Sequence, residues 1–368
     1  MESVVIQPAF WLGKRVLITG HTGFKGSWLA LWLHSLGAKV FGYALDPPTE
    51  PNLFSLAHVG DSVSSTHGDI RDIAGLRAVA QDAQPQIIFH LAAQSIVRTS
   101  YTEPVETYTT NIIGTVNLLE VMRSCNDLRA AVIVTSDKCY ENREWLWGYR
   151  ENEPLGGRDP YSSSKACAEL VTSAYHASFF NTKIHGSGVG IATARAGNVI
   201  GGGDWTKDRL IPDIMRAIIA SKPVIIRNPL AIRPWQHVLE PLAGYLLLAE
   251  RLWDSGKDFS GGWNFGPADQ DVRPVHWIAD RLIDQWGGRI EYSKEGEQPH
   301  EANYLKLDSA KARAKLGWNP RWDIDIALDA ITSWYKAYQA KKDMETVVLN
   351  QISEYLESPA TKKIQCNT

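Results

Sequence analysis

Residues 15–36 read Arg-Val-Leu-Ile-Thr-Gly-His-Thr-Gly-Phe-Lys-Gly-Ser-Trp-Leu-Ala-Leu-Trp-Leu-His-Ser-Leu. A short apolar run, Arg15–Thr19, enters a loop with glycines at positions 20, 23 and 26, and an apolar helical pattern follows at once. In this context the first glycine permits a tight turn, the second lets the backbone approach a pyrophosphate, and the third lets the helix pack close to the sheet. The helix N-terminus adds free N–H donors for the same anion. The stretch therefore predicts a dinucleotide-binding βαβ unit.

The same alternation of short apolar runs and longer amphipathic stretches continues to about residue 195. It indicates repeated βαβ units and a parallel sheet. The predicted strands are Arg15–Thr19, Lys39–Tyr43, Ser62–His67, Ile87–Leu91, Ala131–Thr135 and Ile191–Arg195. The predicted helical segments include Trp28–Leu36, Ile73–Gln81, Asn111–Cys125 and Ser162–Phe179. We therefore expect an α/β fold with a doubly wound, Rossmann-type parallel sheet.

Composition excludes several classes of protein. The chain has 368 residues, of which 44% are hydrophobic and 21% charged, enough for a large core and two domains. Its net charge of -3 gives no basic field for nucleic acid, and no apolar run reaches the roughly 20 residues that cross a bilayer. Residues 1–13 lack a secretion signal, and the four cysteines show no metal or disulfide spacing. We expect a reduced, cytoplasmic protein that binds no metal, nucleic acid or membrane.

Acidic residues after the second and third strands bear on the choice of dinucleotide. The adenosine ribose hydroxyls of NAD are bound by an acidic residue about 20 positions beyond the glycine loop. Asp46 is the candidate, although a loop aspartate without a ligand fits its position too. Residues 44–49 contain no Arg or Lys to receive a 2′-phosphate, which favours NAD over NADP. Asp69 either binds the adenine or caps the next helix, and Lys25 either contacts the pyrophosphate or is solvated.

Two groups of side chains carry reactive chemistry. Tyr161 and Lys165 lie four residues apart on one face of a predicted helix, where an ammonium can stabilise a phenolate and grip the nicotinamide ribose. Tyr338 and Lys342 have the same spacing, which we attribute to chance because they lie far from the dinucleotide half. Residues 135–138, Thr-Ser-Asp-Lys, follow the fifth strand, where doubly wound proteins present catalytic groups. An ordinary capping loop is the alternative there.

These motifs, with Leu91-Ala92-Ala93-Gln94 and Thr110-Asn111-x-x-Gly114-Thr115, resemble the extended short-chain dehydrogenase/reductase superfamily of nucleotide-sugar enzymes. Three longer strings are similar, more narrowly, to the CDP-glucose 4,6-dehydratases. They are residues 135–140 (TSDKCY), 154–161 (PLGGRDPY) and 195–205 (RAGNVIGGGDW). The resemblance covers nearly all of the chain.

The resemblance implies conversion of CDP-D-glucose to CDP-4-keto-6-deoxy-D-glucose and water, for deoxysugar synthesis of the O-antigen type. Tyr161, assisted by Lys165 and Ser136, would take the proton of the sugar 4-hydroxyl while hydride passes from C4 to NAD. Loss of the C5 proton and the 6-hydroxyl follows, with Asp137 as the acid, and the hydride returns to C6. The dTDP-glucose dehydratases carry glutamate where this chain has Lys138. Lys138 therefore either acts as the C5 base with a depressed pKa or orients Asp137 or the substrate.

The resemblance also implies two binding sets. The expected NAD contacts are Gly20, Thr22, Gly23, Phe24, Lys25, Gly26, Asp46, Asp69, Ile70, Leu91, Ala92, Ala93, Tyr161 and Lys165. The expected nucleotide-sugar contacts are Gln94, Ser136, Asn198, Arg209, Arg233 and His237. Asn198 and Arg233 are the preferred diphosphate ligands, since a guanidinium donates two bonds to one phosphate. For Arg209 and His237 a structural role is the equal alternative.

Domain organisation follows from a change after about Ala196, where glycine and proline become frequent. We expect residues 1–195, joined by 238–264, to form the NAD-binding domain. Residues 196–237 and 265–358 then form a smaller, mixed α/β substrate domain, and residues 359–368 a frayed tail. By resemblance, the chain forms a homodimer or homotetramer.

Two alternative functions share part of this pattern. A nucleotide-sugar 4-epimerase or reductase of the same superfamily has the glycine loop and the Tyr/Lys pair but needs no acid–base set for C5 and C6, so Asp137 and Lys138 distinguish them. A non-catalytic NAD-binding regulator would lose the reactive residues, which this chain retains.

Overall fold

The computed structural model describes residues 6–181, 188–292 and 304–359. The α-helices, labelled α1 to α14 in chain order, are Pro8–Trp11, Phe24–Ser35, Leu53–Leu56, Val59–Ser62, Ile73–Ala83, Val97–Thr102, Pro104–Tyr108, Gly114–Met122, Pro160–Tyr175, Leu210–Ile219, Leu239–Phe259, Val275–Trp286, Ile324–Gln339 and Met344–Glu357. The strands, labelled β1 to β13, are Arg15–Thr19, Lys39–Ala44, Ser64–His67, Ile87–His90, Ala130–Val134, Gly190–Arg195, Val199–Ile200, Val224–Ile226, Ile232–Pro234, Gln236–His237, Gly261–Asn264, Val272–Pro274 and Ile290–Tyr292. Short 3₁₀ turns span Asp137–Cys139 and Asp269–Asp271, and π-helical turns span Thr109–Ile113, His176–Phe180 and Ala312–Leu316.

The central sheet is parallel throughout. Within the described ranges it has seven strands in the order β11-β6-β5-β4-β1-β2-β3. The chain winds outward from β1 to β3 and then crosses back to β4, so the winding direction reverses between β1 and β4. Ligands of such sheets bind at the carboxyl ends of the strands beside this reversal. The predicted doubly wound Rossmann-type fold is confirmed.

Strand positions follow the predicted runs closely. The six predicted strands are all present, and the largest shift is in β3, which begins at Ser64 instead of Ser62. Residues 59–62 form the helical turn α4, which contains the first residue of that run, Ser62, and Val63 is its C-cap. Each position of β5 is buried, as expected of a central parallel strand covered on both faces.

A later segment returns to this sheet. Helix α11 packs against β5 and β6, and β11, which follows it, pairs in parallel with β6. The chain segments on either side contribute small two-stranded pairings, β7 with β10, β8 with β13, and β9 with β12. The division into residues 1–195 with 238–264 and residues 196–237 with 265–358 stays a prediction. Positions 360–368 of the expected tail lie outside the described residues.

Helices able to cross a membrane and side-chain clusters able to hold a metal ion are both absent from the described ranges. None of their helices combines the length and apolar character that crossing a bilayer requires. They also contain no grouping of His, Cys, Asp and Glu side chains able to hold a metal ion.

Candidate active site

A cleft with a volume of about 930 Å³ lies along the carboxyl ends of the parallel strands. Its walls come from the first half of the chain and from residues 196–235 and 275. The predicted site residues that line it are Gly20, Thr22, Gly23, Phe24, Lys25, Gly26, Asp46, Asp69, Ile70, Leu91, Ala92, Ala93, Gln94, Ser136, Asp137, Lys138, Tyr161, Lys165, Asn198, Arg209 and Arg233. The fold thus brings residues from widely separated motifs into one concave site.

The glycine loop has the geometry that a dinucleotide needs. Gly20 has φ +80°, and a Cβ added there would lie 2.6 Å from the Ala92 amide nitrogen. A Cβ at Gly26 would overlap the Gly20 carbonyl oxygen. At Gly23, which precedes α2, a Cβ would meet protein only at 3.4 Å and would otherwise project into open space. The loop therefore leaves room for a pyrophosphate at the helix N-terminus and fits this group.

The different surroundings of Gly23 and Gly26 give matched variants. Gly26→Ala is expected to destabilise the fold by about 1–3 kcal/mol, because its Cβ must displace backbone. Gly23→Ala is expected to fold normally but to weaken NAD binding roughly tenfold, because its methyl group occupies space next to the helix N-terminus. Thermal unfolding and calorimetric NAD titration of both variants measure these effects. Equal stability losses in the two variants would contradict the assigned roles.

Lys25 and His21 differ in their relation to the cleft. The Lys25 side chain is half-buried in the cleft, with Nζ 6.0 Å from the Tyr245 ring centre. Burial, followed by repulsion from Arg209 and Lys165, lowers the pKa of Lys25 to about 7. Lys25 thus faces the cleft, and its contact with a pyrophosphate stays a prediction. His21 is buried under the loop, its Nε2 2.7 Å from Ser65 Oγ, so its side chain supports the loop from behind.

Both predicted acidic residues, Asp46 and Asp69, line the cleft after strands β2 and β3. Asp69 is bound by the Arg71 guanidinium at 2.5 Å, and this hydrogen bond holds the pKa of the Asp69 carboxyl below its usual value. Helix α5 is capped by Asp72, which accepts from Ala74 N, so the capping alternative for Asp69 is wrong. The Asp46 carboxylate is exposed, with His67 Nε2 at 3.6 Å. Both readings of Asp46, ribose ligand or loop aspartate, stay open.

Helix α9 presents the Tyr/Lys pair to the cleft. Asp159 caps its N-terminus by accepting from Ser162 N at 2.9 Å. Burial raises the pKa of Tyr161 to about 12, which opposes the stabilisation of the phenolate that we expected from Lys165, while a hydrogen bond with Ser136 lowers the pKa. Lys165 donates from Nζ to the Val134 carbonyl at 3.3 Å, and burial lowers its pKa to about 8. Tyr161 is thus a phenol at neutral pH in the protein alone.

The turn after β5 holds the other reactive residues. Ser136 accepts from Lys138 N at 3.2 Å and donates to Asp137 Oδ1 at 3.0 Å, so its hydroxyl caps the turn and also contacts the carboxylate. Asp137 is 2% exposed, and a Cβ at Gly197 would overlap its Oδ2. Because Gly197 has no side chain, the backbone after β6 can lie directly against this carboxylate. Lys138 lies on the cleft wall at the next position.

Three predicted nucleotide-sugar contacts, Asn198, Arg209 and Arg233, line the cleft. Asn198 has φ +46°, a left-handed conformation that turns the chain along the cleft. Arg233 is buried, and its Nη1 donates to the Ile232 carbonyl at 3.0 Å. Arg209 donates to Asp204 at 3.0 Å and to Ser95 Oγ at 2.9 Å while lining the cleft. Arg209 therefore has structural partners and also faces the site.

The side chains of Gln94 and His237, both predicted to contact the substrate, are held by contacts within the protein. The Gln94 amide accepts from Ile96 N at 2.5 Å and donates to Thr107 Oγ1 at 2.8 Å, so it holds the loop beside the cleft. His237 does not line the cleft and is fully buried. Its ring packs 5.8 Å from Trp28 and 4.8 Å from Trp322, and burial lowers its pKa to about 3. The geometry assigns His237 to core packing.

Part of the cleft lining was not predicted from the sequence. Asp208 and Arg227 line its far end, joined by a 2.8 Å ion pair, with Arg98 at 3.9 Å from the same carboxylate. Arg227 directly follows the apolar run of β8, a signal that marks the carboxyl end of a strand.

Asn111 belongs to the motif Thr110-Asn111-x-x-Gly114-Thr115, which by itself does not indicate the role of this residue. Its Nδ2 donates to Gln94 O at 3.0 Å and to Ser164 Oγ at 2.8 Å, linking the β4 loop to α9.

Comparison with known proteins adds independent findings. The family model described as GDP-mannose 4,6 dehydratase matches residues 17–330. The chain is 55% identical over 356 residues to a CDP-glucose 4,6-dehydratase of Salmonella typhimurium, covering 96% of this chain and 99% of the relative. It is 28% identical to a dTDP-glucose 4,6-dehydratase of Streptomyces griseus, covering 88% and 95% of the two chains.

Solved structures show the same fold. A dTDP-glucose 4,6-dehydratase from Bacillus anthracis in complex with NAD superposes with a TM-score of 0.74 at 22% identity, covering 90% of this chain and 99% of that one. A UDP-glucose 4-epimerase from Thermotoga maritima with UDP-glucose also gives 0.74, at 20% identity, covering 88% and 99%. Dehydratases and epimerases share the architecture, so the fold alone does not distinguish the two reactions.

Proposed function

Because this chain belongs to the GDP-mannose 4,6-dehydratase family of the extended short-chain dehydrogenases/reductases, we propose that it converts CDP-D-glucose to CDP-4-keto-6-deoxy-D-glucose and water. One observation carries the proposal beyond family membership. The carboxyl group of Asp137 lies in the same cleft as Tyr161 and Lys165, and hydrogen-bonds to Ser136. An epimerase needs the Tyr/Lys pair but no acid for a leaving hydroxyl, so this arrangement favours the dehydratase. The product would serve deoxysugar synthesis.

NAD fits the dinucleotide end of the cleft. The glycine loop leaves space at Gly23 for the pyrophosphate, and Asp46 and Asp69 line the adenosine end. Lys165 would hold the nicotinamide ribose. When bound, NAD supplies the hydride acceptor for sugar C4 and the donor for C6.

The residues of this chain would divide the proton transfers between them. Tyr161 takes the proton of the 4-hydroxyl, which requires that its phenol first lose its own proton to solvent. The hydrogen bond with Ser136 lowers the pKa of Tyr161 and so favours this phenolate. The 4-ketone makes the C5 proton acidic. Asp137 then protonates the 6-hydroxyl as water leaves, which requires its carboxyl group to hold a proton before this step. The proton taken from C5 must return to C5 when hydride reaches C6. Lys138 is either the base that carries this proton or a residue that orients Asp137 or the substrate.

A homo-oligomer is the proposed assembly, as a dimer or tetramer. Support comes from large apolar side chains that project into solvent from neighbouring helical segments. Val105 is 74% exposed, Ile113 49% and Leu170 58%. They lie on α7, on the π-helical turn that follows it and on α9, which pack together. Exposed apolar groups on adjoining helices are typical of protein interfaces.

Incubation with NAD and CDP-glucose that carries deuterium at C4 tests the function. We expect mass spectrometry to show loss of one water and NMR to find the deuterium at C6, because the same hydride leaves C4 and returns to the sugar. No NADH should accumulate. Formation of CDP-galactose without water loss would replace the dehydratase proposal by the epimerase.

A further inference from the structure

A buried ion pair, Glu169 with Arg195, lies behind the reactive residues. The two side chains are 3% and 4% exposed, and neither belongs to the cleft lining. Arg195 donates from Nε and Nη2 to the Glu169 carboxylate at 2.9 and 2.6 Å. Burying such a pair costs desolvation free energy, and apolar residues often stabilise a core equally well. The stability of the fold therefore does not explain why this ion pair is buried here.

The carboxylate of Glu169 joins three elements of the fold. It lies on α9, one helical turn after Lys165. Thr135, directly after β5, donates to its Oε1 at 2.5 Å, and Thr193 of β6 donates to its Oε2 at 2.6 Å. With the two bonds from Arg195, each carboxylate oxygen accepts two hydrogen bonds. Such a fully bonded group has little freedom to move.

The guanidinium of Arg195 reaches the other side of the reactive turn. Its Nη1 donates to the Tyr140 hydroxyl at 2.6 Å, and that hydroxyl donates to Asn264 Oδ1 at 2.8 Å. Thr135 immediately precedes Ser136, and Tyr140 immediately follows the turn Asp137–Cys139. The ion pair therefore holds both ends of the segment that carries Ser136, Asp137 and Lys138.

We propose that Glu169 and Arg195 are positioning residues that hold the turn Ser136–Cys139 in register with Tyr161 and Lys165 on α9. Neither touches substrate or cofactor; they act through Thr135 and Tyr140. The inference rests on the proposed function for its effect on turnover. The geometric requirement is strict, because small displacements of reacting groups cost large factors in rate.

The charge of Glu169 has a second effect on Lys165. Its carboxylate raises the pKa of the lysine against the lowering caused by burial. The other groups that act on Lys165 or feel its charge are Cys139 from the turn, Lys25 from the glycine loop and His90 from β4. Without the Glu169 charge, Lys165 should lose its proton at lower pH. As the pH is raised, activity that depends on the Lys165 ammonium would then be lost at a lower pH than in the wild type.

Two threonines bound to the same carboxylate offer a matched test. Thr135→Val and Thr193→Val each replace a buried hydroxyl by a methyl group and remove one hydrogen bond to Glu169. We therefore expect similar falls in melting temperature for the two variants. Thr135→Val should lower kcat about tenfold with KM unchanged, because the bond it breaks anchors the reactive turn. Thr193→Val should lower kcat less than about twofold, and Thr135→Ser should restore wild-type kcat.

A second readout needs no substrate. Hydrogen exchange of residues 136–140, measured by mass spectrometry, should accelerate in Thr135→Val and remain at the wild-type rate in Thr193→Val. Turnover of CDP-glucose by the wild type tests the proposed function separately, so failure of either idea is recognisable. Equal kcat losses in the two variants, or unchanged exchange in Thr135→Val, would overturn the positioning role.

Glu169→Gln tests the charge. On the alkaline side of the pH profile, the pH at which this variant loses half of its activity should be about one unit lower than in the wild type. The control is Glu250→Gln, another largely buried carboxylate, which accepts from Gln7 N and Trp11 Nε1 and lies outside the cleft. Its pH profile should equal that of the wild type. A profile of Glu169→Gln that coincides with this control would refute the electrostatic role.

Discussion

Replacement of Tyr161 by phenylalanine is expected to lower kcat by about three orders of magnitude while leaving NAD bound. The phenolate oxygen of Tyr161 is the atom that accepts the 4-hydroxyl proton, and phenylalanine lacks it. The ring alone retains its packing because Tyr161 is only 8% exposed. Without a proton acceptor, oxidation at C4 cannot begin. The measurement is the rate of product formation, together with the rise in NADH absorbance in a single turnover, which should disappear as well.

The chain contains a matched control for this variant. Tyr338 has a lysine four positions later, as Tyr161 does. Its ring packs against Trp205 at 5.1 Å and Trp334 at 6.1 Å and does not line the cleft. Tyr338→Phe should therefore keep kcat within about twofold of the wild type. Comparable losses in the two variants would mean that the Tyr161 hydroxyl has no special role.

Asp137→Asn is expected to separate the two halves of the reaction. An amide cannot give a proton to the leaving 6-hydroxyl, so kcat should fall by about two to three orders of magnitude. Oxidation at C4 does not use this carboxyl group and should still occur. NADH absorbance should rise towards one equivalent per site and persist, and the 4-keto sugar should retain its 6-hydroxyl on mass spectrometry.

The control for loss of a buried carboxylate is Asp271→Asn. Asp271 is 3% exposed, accepts from Ile324 N at 3.0 Å and lies outside the cleft. This variant should lose stability without accumulating NADH. Normal water loss by Asp137→Asn would show that another group is the acid, and Lys138 on the adjacent cleft wall would then be the next residue to replace.

Local sequence patterns were sufficient for most of the fold. The β-branched runs of β1, β4, β5 and β6 are buried because apolar strands of a parallel sheet are covered on both faces. The strand of the central sheet that was not predicted is β11, whose residues 261–264 read Gly-Gly-Trp-Asn. Such a segment has low strand propensity, and its place beside β6 depends on backbone pairing and on α11 packing over the sheet.

The sequence by itself determined the Rossmann-type fold, the cofactor loop and the reactive motifs, because each depends on residues that are neighbours in the chain. Only the tertiary structure decided how each side chain is used. In the folded chain the Gln94 amide is hydrogen-bonded to its own loop, and the His237 ring is buried among tryptophans. Burial in the cleft also lowers the pKa of Lys25. The tertiary structure also bonds Glu169 to Arg195 behind the turn. Desolvation and hydrogen-bond partners depend on groups that are distant in sequence, and no local pattern records them.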